Sequence, residues 1–308
     1  MSDIRQWIAW SEERLARLMI LEGLDVGLAE VIQGPMTVTF RIRLLTPSRS
    51  SLSKALALGP AIGQALQVSS VRVTDSSRGI LVEVPSPLPR TPGADLLSKS
   101  SKGLAIAVGL DSFRRPVFLD FERWPHLLLV GPSGRGKSQA LRSLLLALAH
   151  QNAPERVVCL ILAKKLEDWR AFQPASCCSG LLIQPEEQKQ ALSWLAGDLL
   201  QKRAEQGKRW PQVFLLVDDL GNVSARADIT SHLGEIASLG RAAGIHLLLS
   251  TQTTGKAGGL SQDIEQNMTA RLIFGAADAA AGARHAGSGG LQVESVGRSP
   301  GDALLILD

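Results

Sequence analysis

The chain has 308 residues, of which 45% are hydrophobic and 20% charged, an ordinary globular mix that argues against disorder. Its formal charge of +4 permits a polyanionic partner without demanding one. There is no Tyr, and six Trp and seven Phe are the only aromatics, which argues against recognition by stacked aromatic platforms. The longest apolar runs, such as 127–130 and 144–149, fall far short of the ~18 residues of a membrane span. Residues Met1 to Arg5 lead into no apolar core, so they do not read as a secretory signal. The three cysteines and five histidines show no metal or disulfide spacing, and a reducing cytoplasm is the expected compartment.

Taken in chain order, residues 2–21 carry a helical stripe of Ile4, Trp7, Ile8, Leu15, Leu18 and Met19. Residues 37–44 alternate strictly, with Val38, Phe40, Ile42 and Leu44 on one face, and read as a half-buried strand. Residues 51–66 read as helix interrupted at Gly59-Pro60. Val71/Val73 and Ile80/Val82/Val84 mark two further strands. A Pro- and Ser-rich stretch follows, from Pro85 to Gly103, and reads as a connector. The expected organisation is a small α+β domain over 1–90, a connector over 91–102 and an α/β domain over 103–308. In that second domain uniformly apolar runs at 126–130, 157–162, 213–217, 245–249, 272–274 and 303–307 alternate with helical stretches. This implies a mainly parallel sheet covered on both faces.

The sequence Gly131-Pro132-Ser133-Gly134-Arg135-Gly136-Lys137-Ser138 fits GxxxxGK[ST] in full, follows an apolar strand and opens a helix. Glycines let backbone N–H groups curl around a phosphate, and the helix N-terminus adds partial positive charge. Lys137 can reach the β- and γ-phosphates and Ser138 can ligate Mg²⁺. The alternative is a chance glycine turn, against which the strand and helix context speaks. Val213 to Val217 is an apolar strand ending in Asp218-Asp219. Asp218 would hold Mg²⁺ through water and Asp219 would polarise the attacking water; the alternative is a solvated strand end. A third strand, 245–249, ends in Ser250-Thr251-Gln252. If it lies between the other two, Gln252 points at the γ-phosphate; otherwise a capping or loop role is the default.

These pieces, in this order, resemble the FtsK/SpoIIIE family of DNA-pumping ATPases. Trp124-Pro125-His126-Leu127-Leu128-Leu129-Val130-Gly131 resembles the family's strand into its phosphate loop. Arg241-Ala242-Ala243-Gly244-Ile245-His246-Leu247 is similar to its RAAGIHL segment, and Gly301-Asp302-Ala303-Leu304-Leu305 to its terminal GDML strand. Gly34 to Phe40 and Ser70 to Val73 resemble the small domain before the motor. The resemblance implies a RecA-like P-loop ATPase that binds ATP and Mg²⁺ between subunits of a hexameric ring. It further implies Asp218 and Asp219 as the Walker B pair, Gln252 as γ-phosphate sensor, and Arg241 as a finger reaching the neighbouring site. On its own Arg241 reads as an exposed arginine near a helix end.

The chain departs from the family pattern in places. Walker B is Asp-Asp where Asp-Glu is usual, the family's TQRP becomes Thr251-Gln252-Thr253-Thr254, and a lysine of the later DNA-facing loop falls near Ala279. An aspartate before the family's lysine pair becomes Ala163. Lys256, Arg284 and His285 are the remaining DNA-facing candidates, each also readable as an ordinary solvated residue. The implied substrate is double-stranded DNA, held weakly, without sequence preference and in a salt-sensitive way. With neither a membrane segment before the motor nor a winged helix after it, a soluble cytoplasmic form is expected. The alternatives are an ATPase of a secretion or conjugation apparatus acting on protein, and a nucleotide-binding structural subunit with little turnover.

Overall fold

The computed structural model describes residues 3–89, 103–207, 211–223, 227–275, 279–286 and 300–308. They fall into two compact units, Met1–Gly93 with Gly109–Val117, and Ala94–Val108 with Phe118–Asp308. The connector expected at 91–102 lies outside the described residues.

In the first unit, α1 (Ile4–Leu21) starts at Asp3, whose side chain accepts from the Arg5 N–H, and buries Trp7, Ser11, Leu15 and Met19. The i, i+4 spacing of those four puts them on one face. Strand β1 (Val26–Gln33) pairs antiparallel with β2 (Thr37–Leu44), which buries Val38, Phe40 and Ile42 on its core face. Helix α2 (Arg49–Ala57) opens on Ser48, whose hydroxyl accepts from the Ser51 N–H while Ser51 returns the bond. Helix α3 (Gly59–Leu66) carries Pro60 in its first turn, where no N–H is needed. Strands β3 (Arg72–Ser76) and β4 (Gly79–Pro85) complete a sheet of order β1-β2-β4-β3.

A hairpin of β5 (Ala105–Leu110) and β6 (Pro116–Asp120) is divided, its tip 109–117 clustering with the first unit. A Cβ on Gly34 would stand 2.8 Å from the Ser112 carbonyl, and the Arg41 guanidinium lies 5.7 Å from the Phe113 ring centroid.

The second unit is built on seven strands. They are β7 (Leu127–Val130), β8 (Val157–Leu162), β9 (Cys178–Leu182), β10 (Gln212–Val217), β11 (Ile245–Thr251), β12 (Ala270–Ile273) and β13 (Leu304–Leu307). Their order is β13-β12-β7-β11-β10-β8-β9, all parallel except the β12–β13 pair. Side-chain alternation divides the core between the two faces. Leu128, Val130, Val213, Leu215 and Leu247 pack on one side under α5 (Pro185–Trp194), α8 (Ala227–Ala243) and α9 (Gln262–Asn267). Leu127, Leu129, Phe214, Leu216 and Leu248 pack on the other under α4 (Lys137–Gln151). After α5 the helix widens into a π turn at Leu195–Leu199 and runs on as α6 (Leu200–Gln206). Two short helices, α7 (Leu220–Val223) and α10 (Ala279–Ala286), follow β10 and β12. The expected mainly parallel sheet with both faces covered is the one observed. Among the described residues no helix is long and apolar enough to cross a membrane.

Candidate functional site

The candidate site lies where β7, β11 and β10 end. Gly131, Gly134 and Gly136 all have left-handed φ, at 149°, 75° and 107°. The first is also squeezed, since a Cβ there would stand 2.9 Å from the Phe274 carbonyl. Gly136 caps α4, and a Cβ on it would meet the Gly301 nitrogen at 3.0 Å. The Gly301 N–H donates to the Arg135 carbonyl at 2.9 Å, so the last strand's approach backs the loop. The segment 131–138 is thus a backbone cradle at a helix N-terminus, the arrangement that receives a phosphate.

Lys137 is 9% exposed, and its Nζ donates to the Gly131 and Pro132 carbonyls at 2.7 and 3.0 Å. Burial lowers its ammonium from the usual lysine range, while the Asp219 and Asp218 carboxylates oppose that shift. Ser138 Oγ donates to Asp218 Oδ1 at 2.8 Å, which joins the start of α4 to the end of β10. Ser250 Oγ, from β11, donates to the same oxygen at 3.0 Å and accepts from the Asp219 N–H at 2.8 Å. The other carboxylate oxygen accepts from the Trp169 indole N–H at 3.0 Å, and Trp169 is completely buried. Asp219 has φ 63°, a conformation that Asp tolerates better than most residues.

Strand β11 does lie between β7 and β10. Gln252, exposed, follows its last residue, and the Thr251 carbonyl accepts from the Gly131 N–H at 3.3 Å. The topology therefore sets Gln252 next to the loop. Arg241 sits elsewhere: it precedes β11, and so stands at the edge where the parallel strands begin. Seven residues of β11 span about 23 Å at ~3.3 Å each, far beyond one side chain's reach from the phosphate loop. Its guanidinium is exposed and donates to the Glu122 carbonyl at 3.4 Å.

The three DNA-facing candidates separate. Arg284 is exposed. His285 is 2% exposed, its ring 3.2 Å from the Thr254 hydroxyl and its carbonyl accepting from Arg271. Buried in this way, its ring is not presented to a polyanion, which corrects the expectation from sequence. The side chain of Lys256 lies outside the described residues. Trp169 was missed by the sequence reading, because one Trp among six carries no local signal of a partner 49 residues away.

The site residues fit a Mg²⁺-nucleotide. Three left-handed glycines shape the cradle, and Ser138 with Asp218 forms a hard-oxygen pair of the kind Mg²⁺ takes.

Residues 94–206 match the model of the FtsK/SpoIIIE family. Over those residues the chain is similar to that family. Among curated relatives, "DNA translocase FtsK" of Clostridium acetobutylicum is 25% identical over 306 residues, covering 89% of this chain and 39% of the relative. The chain thus spans about two fifths of that relative's length. A solved structure of the pCW3 conjugation coupling protein TcpA superposes with TM-score 0.63 at 17% identity, over 98% of this chain and 92% of that one. The cytoplasmic domain of the type VII secretion ATPase EccC of Thermomonospora curvata superposes with TM-score 0.58 at 22% identity, over 70% of this chain and 29% of that one. The fold of the second unit is accordingly the RecA-like fold of P-loop ATPases. The segment that follows Arg241 also has a packing role: the His246 ring stacks on Phe214 with centroids 4.6 Å apart.

Proposed function

We propose that this chain is a motor of the FtsK/SpoIIIE type that hydrolyses ATP between subunits of a cytoplasmic ring to move double-stranded DNA. The observation that carries the ATPase reading is the meeting of Ser138 and Asp218 at 2.8 Å beside a left-handed glycine cradle. The DNA substrate is supported by the family match and by the curated relatives named DNA translocases.

In this reading Lys137 exchanges its two loop carbonyls for phosphate oxygens. Ser138 and, through water, Asp218 would hold Mg²⁺, which when bound neutralises charge developing on the β- and γ-phosphates. Asp219 orients the attacking water and accepts its proton. Gln252 contacts the γ-phosphate from the end of β11. Arg241, too far from its own subunit's loop, serves the site of the next subunit, where a guanidinium stabilises charge on the transferring phosphoryl group. Thr253 and Ala279 stand where the family sequence pattern carries cations, so grip on DNA by this unit is weak and falls with salt.

The test is ATPase rate against duplex length, with the particle sized in the same buffer. Stimulation that grows with length, a particle near six subunits, and loss of turnover in Lys137→Ala are expected. Equal rates with and without DNA would sink the translocation reading and leave the ATPase reading standing.

A further inference from the structure

The first unit holds a basic cavity that the ATPase site does not use. Its volume is about 790 Å³, and its lining includes Arg41 and Arg43 of β2, Arg49 at the start of α2, and Arg78 of the β3–β4 turn. Against these four guanidiniums stand two carboxylates, Glu30 and Asp75. Glu30 is already committed, since it forms an ion pair with Arg41. Arg43, Arg49 and Arg78 are exposed, and among the described residues none of their guanidiniums has a hydrogen-bond or ion-pair partner. Three elements therefore bring three uncommitted cations to one opening.

We propose that this cavity is a second contact for duplex DNA, in which Arg43, Arg49 and Arg78 bind backbone phosphates. The inference rests on the DNA-moving reading above. The chemistry of the lining selects this ligand. Guanidinium forks match phosphate oxygens and are always charged. No aromatic and no Asn or Gln lines the cavity, so bases are neither stacked on nor read. The three uncommitted arginines are exposed and therefore lie at the rim. A small anion would be enclosed by buried donors, whereas rim cations suit a long polyanion crossing the mouth. Arg41 and Arg43 are two residues apart on β2, so their side chains leave the same face and lengthen the cationic edge along the strand.

The experiment is fluorescence anisotropy of a labelled random-sequence duplex with the full chain, titrated across a salt series. In Arg43→Ala/Arg49→Ala/Arg78→Ala the slope of log K against log salt should fall by about 2 to 3, since each phosphate contact contributes about 0.9. Affinity at low salt should fall at least tenfold, and DNA-free ATPase should stay unchanged. The matching Arg→Lys triple should keep most of the slope. A control triple, Arg5→Ala/Arg17→Ala/Lys202→Ala, removes the same charge from exposed helix positions and should change the slope by less than one. If the unaltered chain binds duplex and the cavity triple keeps its slope, the proposal is overturned while the translocase reading survives. If the unaltered chain binds no duplex, both fall. If the triple loses binding of a polyglutamate peptide and keeps duplex binding, the cavity serves an acidic protein and the proposal is again overturned.

Discussion

Asp218 receives three hydrogen bonds from three parts of the chain: Ser138 and Ser250 on one oxygen and Trp169 on the other. That fixes the carboxylate before any nucleotide arrives, so little reorganisation would be left for the proposed turnover. In the proposed chemistry Trp169 acts through Asp218 as a positioning residue. Trp169→Phe keeps the buried ring and deletes only the N–H. ATP turnover should fall several-fold with KM for Mg²⁺ raised, while the melting midpoint moves by only a few degrees; an unchanged Mg²⁺ dependence would remove Trp169 from the site. Asp219 carries a second expectation. Asp219→Asn retains a residue at home at φ 63° and removes the proposed proton acceptor. Turnover should drop by about 10² to 10⁴, the usual worth of a positioned base, with fluorescent-nucleotide binding kept. Glu at this position has the longer reach of the usual pair but sits less comfortably in left-handed backbone, so a large gain in rate from Asp219→Glu is not expected.

Among the elements, His126, just before β7, and His246, in β11, are buried at the sheet edge opposite the phosphate loop. Burial pushes His126 down to about 3 and His246 down to about 4. His246 Nδ1 lies 3.0 Å from the Pro125 carbonyl, and the Leu247 N–H donates to His126 Nδ1 at 3.0 Å. Both rings are therefore neutral in the fold, while the unfolded chain protonates near 6.5. The unfolded state then binds more protons below 6.5, and folding stability is full above that pH. It falls as pH drops from 6.5 toward 4, by at most about 1.4 kcal/mol per pH unit for each ring. Urea midpoints at pH 7, 6 and 5 measure it, and His246→Phe, which keeps the stack on Phe214, should make the decline shallower. A decline of the same steepness would assign the acid sensitivity elsewhere. Nearby, Arg203 donates to the Ala243 and Pro211 carbonyls, each at 2.6 Å, tying α6 to the end of α8.

For the whole molecule, the parallel sheet separates the two halves of the proposed chemistry. The phosphate loop, Asp218, Asp219 and Gln252 share the edge where strands end, and Arg241 stands at the other edge. A single subunit cannot bring them together by side-chain motion. Arg241→Ala should bind nucleotide and turn over poorly, and so should fail differently from Lys137→Ala, which loses binding. Mixed together, the two inactive variants should recover part of the wild-type rate, because some interfaces then pair an intact loop with an intact arginine. Absence of recovery at concentrations where the wild-type chain assembles would exclude Arg241 from a neighbour's site.

The phosphate loop was fully legible in the sequence, because its function is local: glycines in fixed order before Lys137 and Ser138 shape a backbone cradle whatever surrounds it. The central strands were legible too, since burial on both faces leaves uniformly apolar runs. Strand β1 was not, because its burial is partial and a bulge between Leu28 and Glu30 breaks the alternation. Edge strand β9 and the β5–β6 hairpin, whose residues divide between two units, likewise lack the pattern that marks the sheet centre. Tertiary structure alone decided which side chains meet. Sheet order puts β11 between β7 and β10, and that brings Ser250 to an aspartate 32 residues away and Ser138 to the same group across 80. It also buried His285, which sequence had placed on the surface, and gathered Arg43, Arg49 and Arg78 around one cavity. Local chemistry is written in neighbouring residues; long-range contacts exist only once burial of apolar strands has fixed their order.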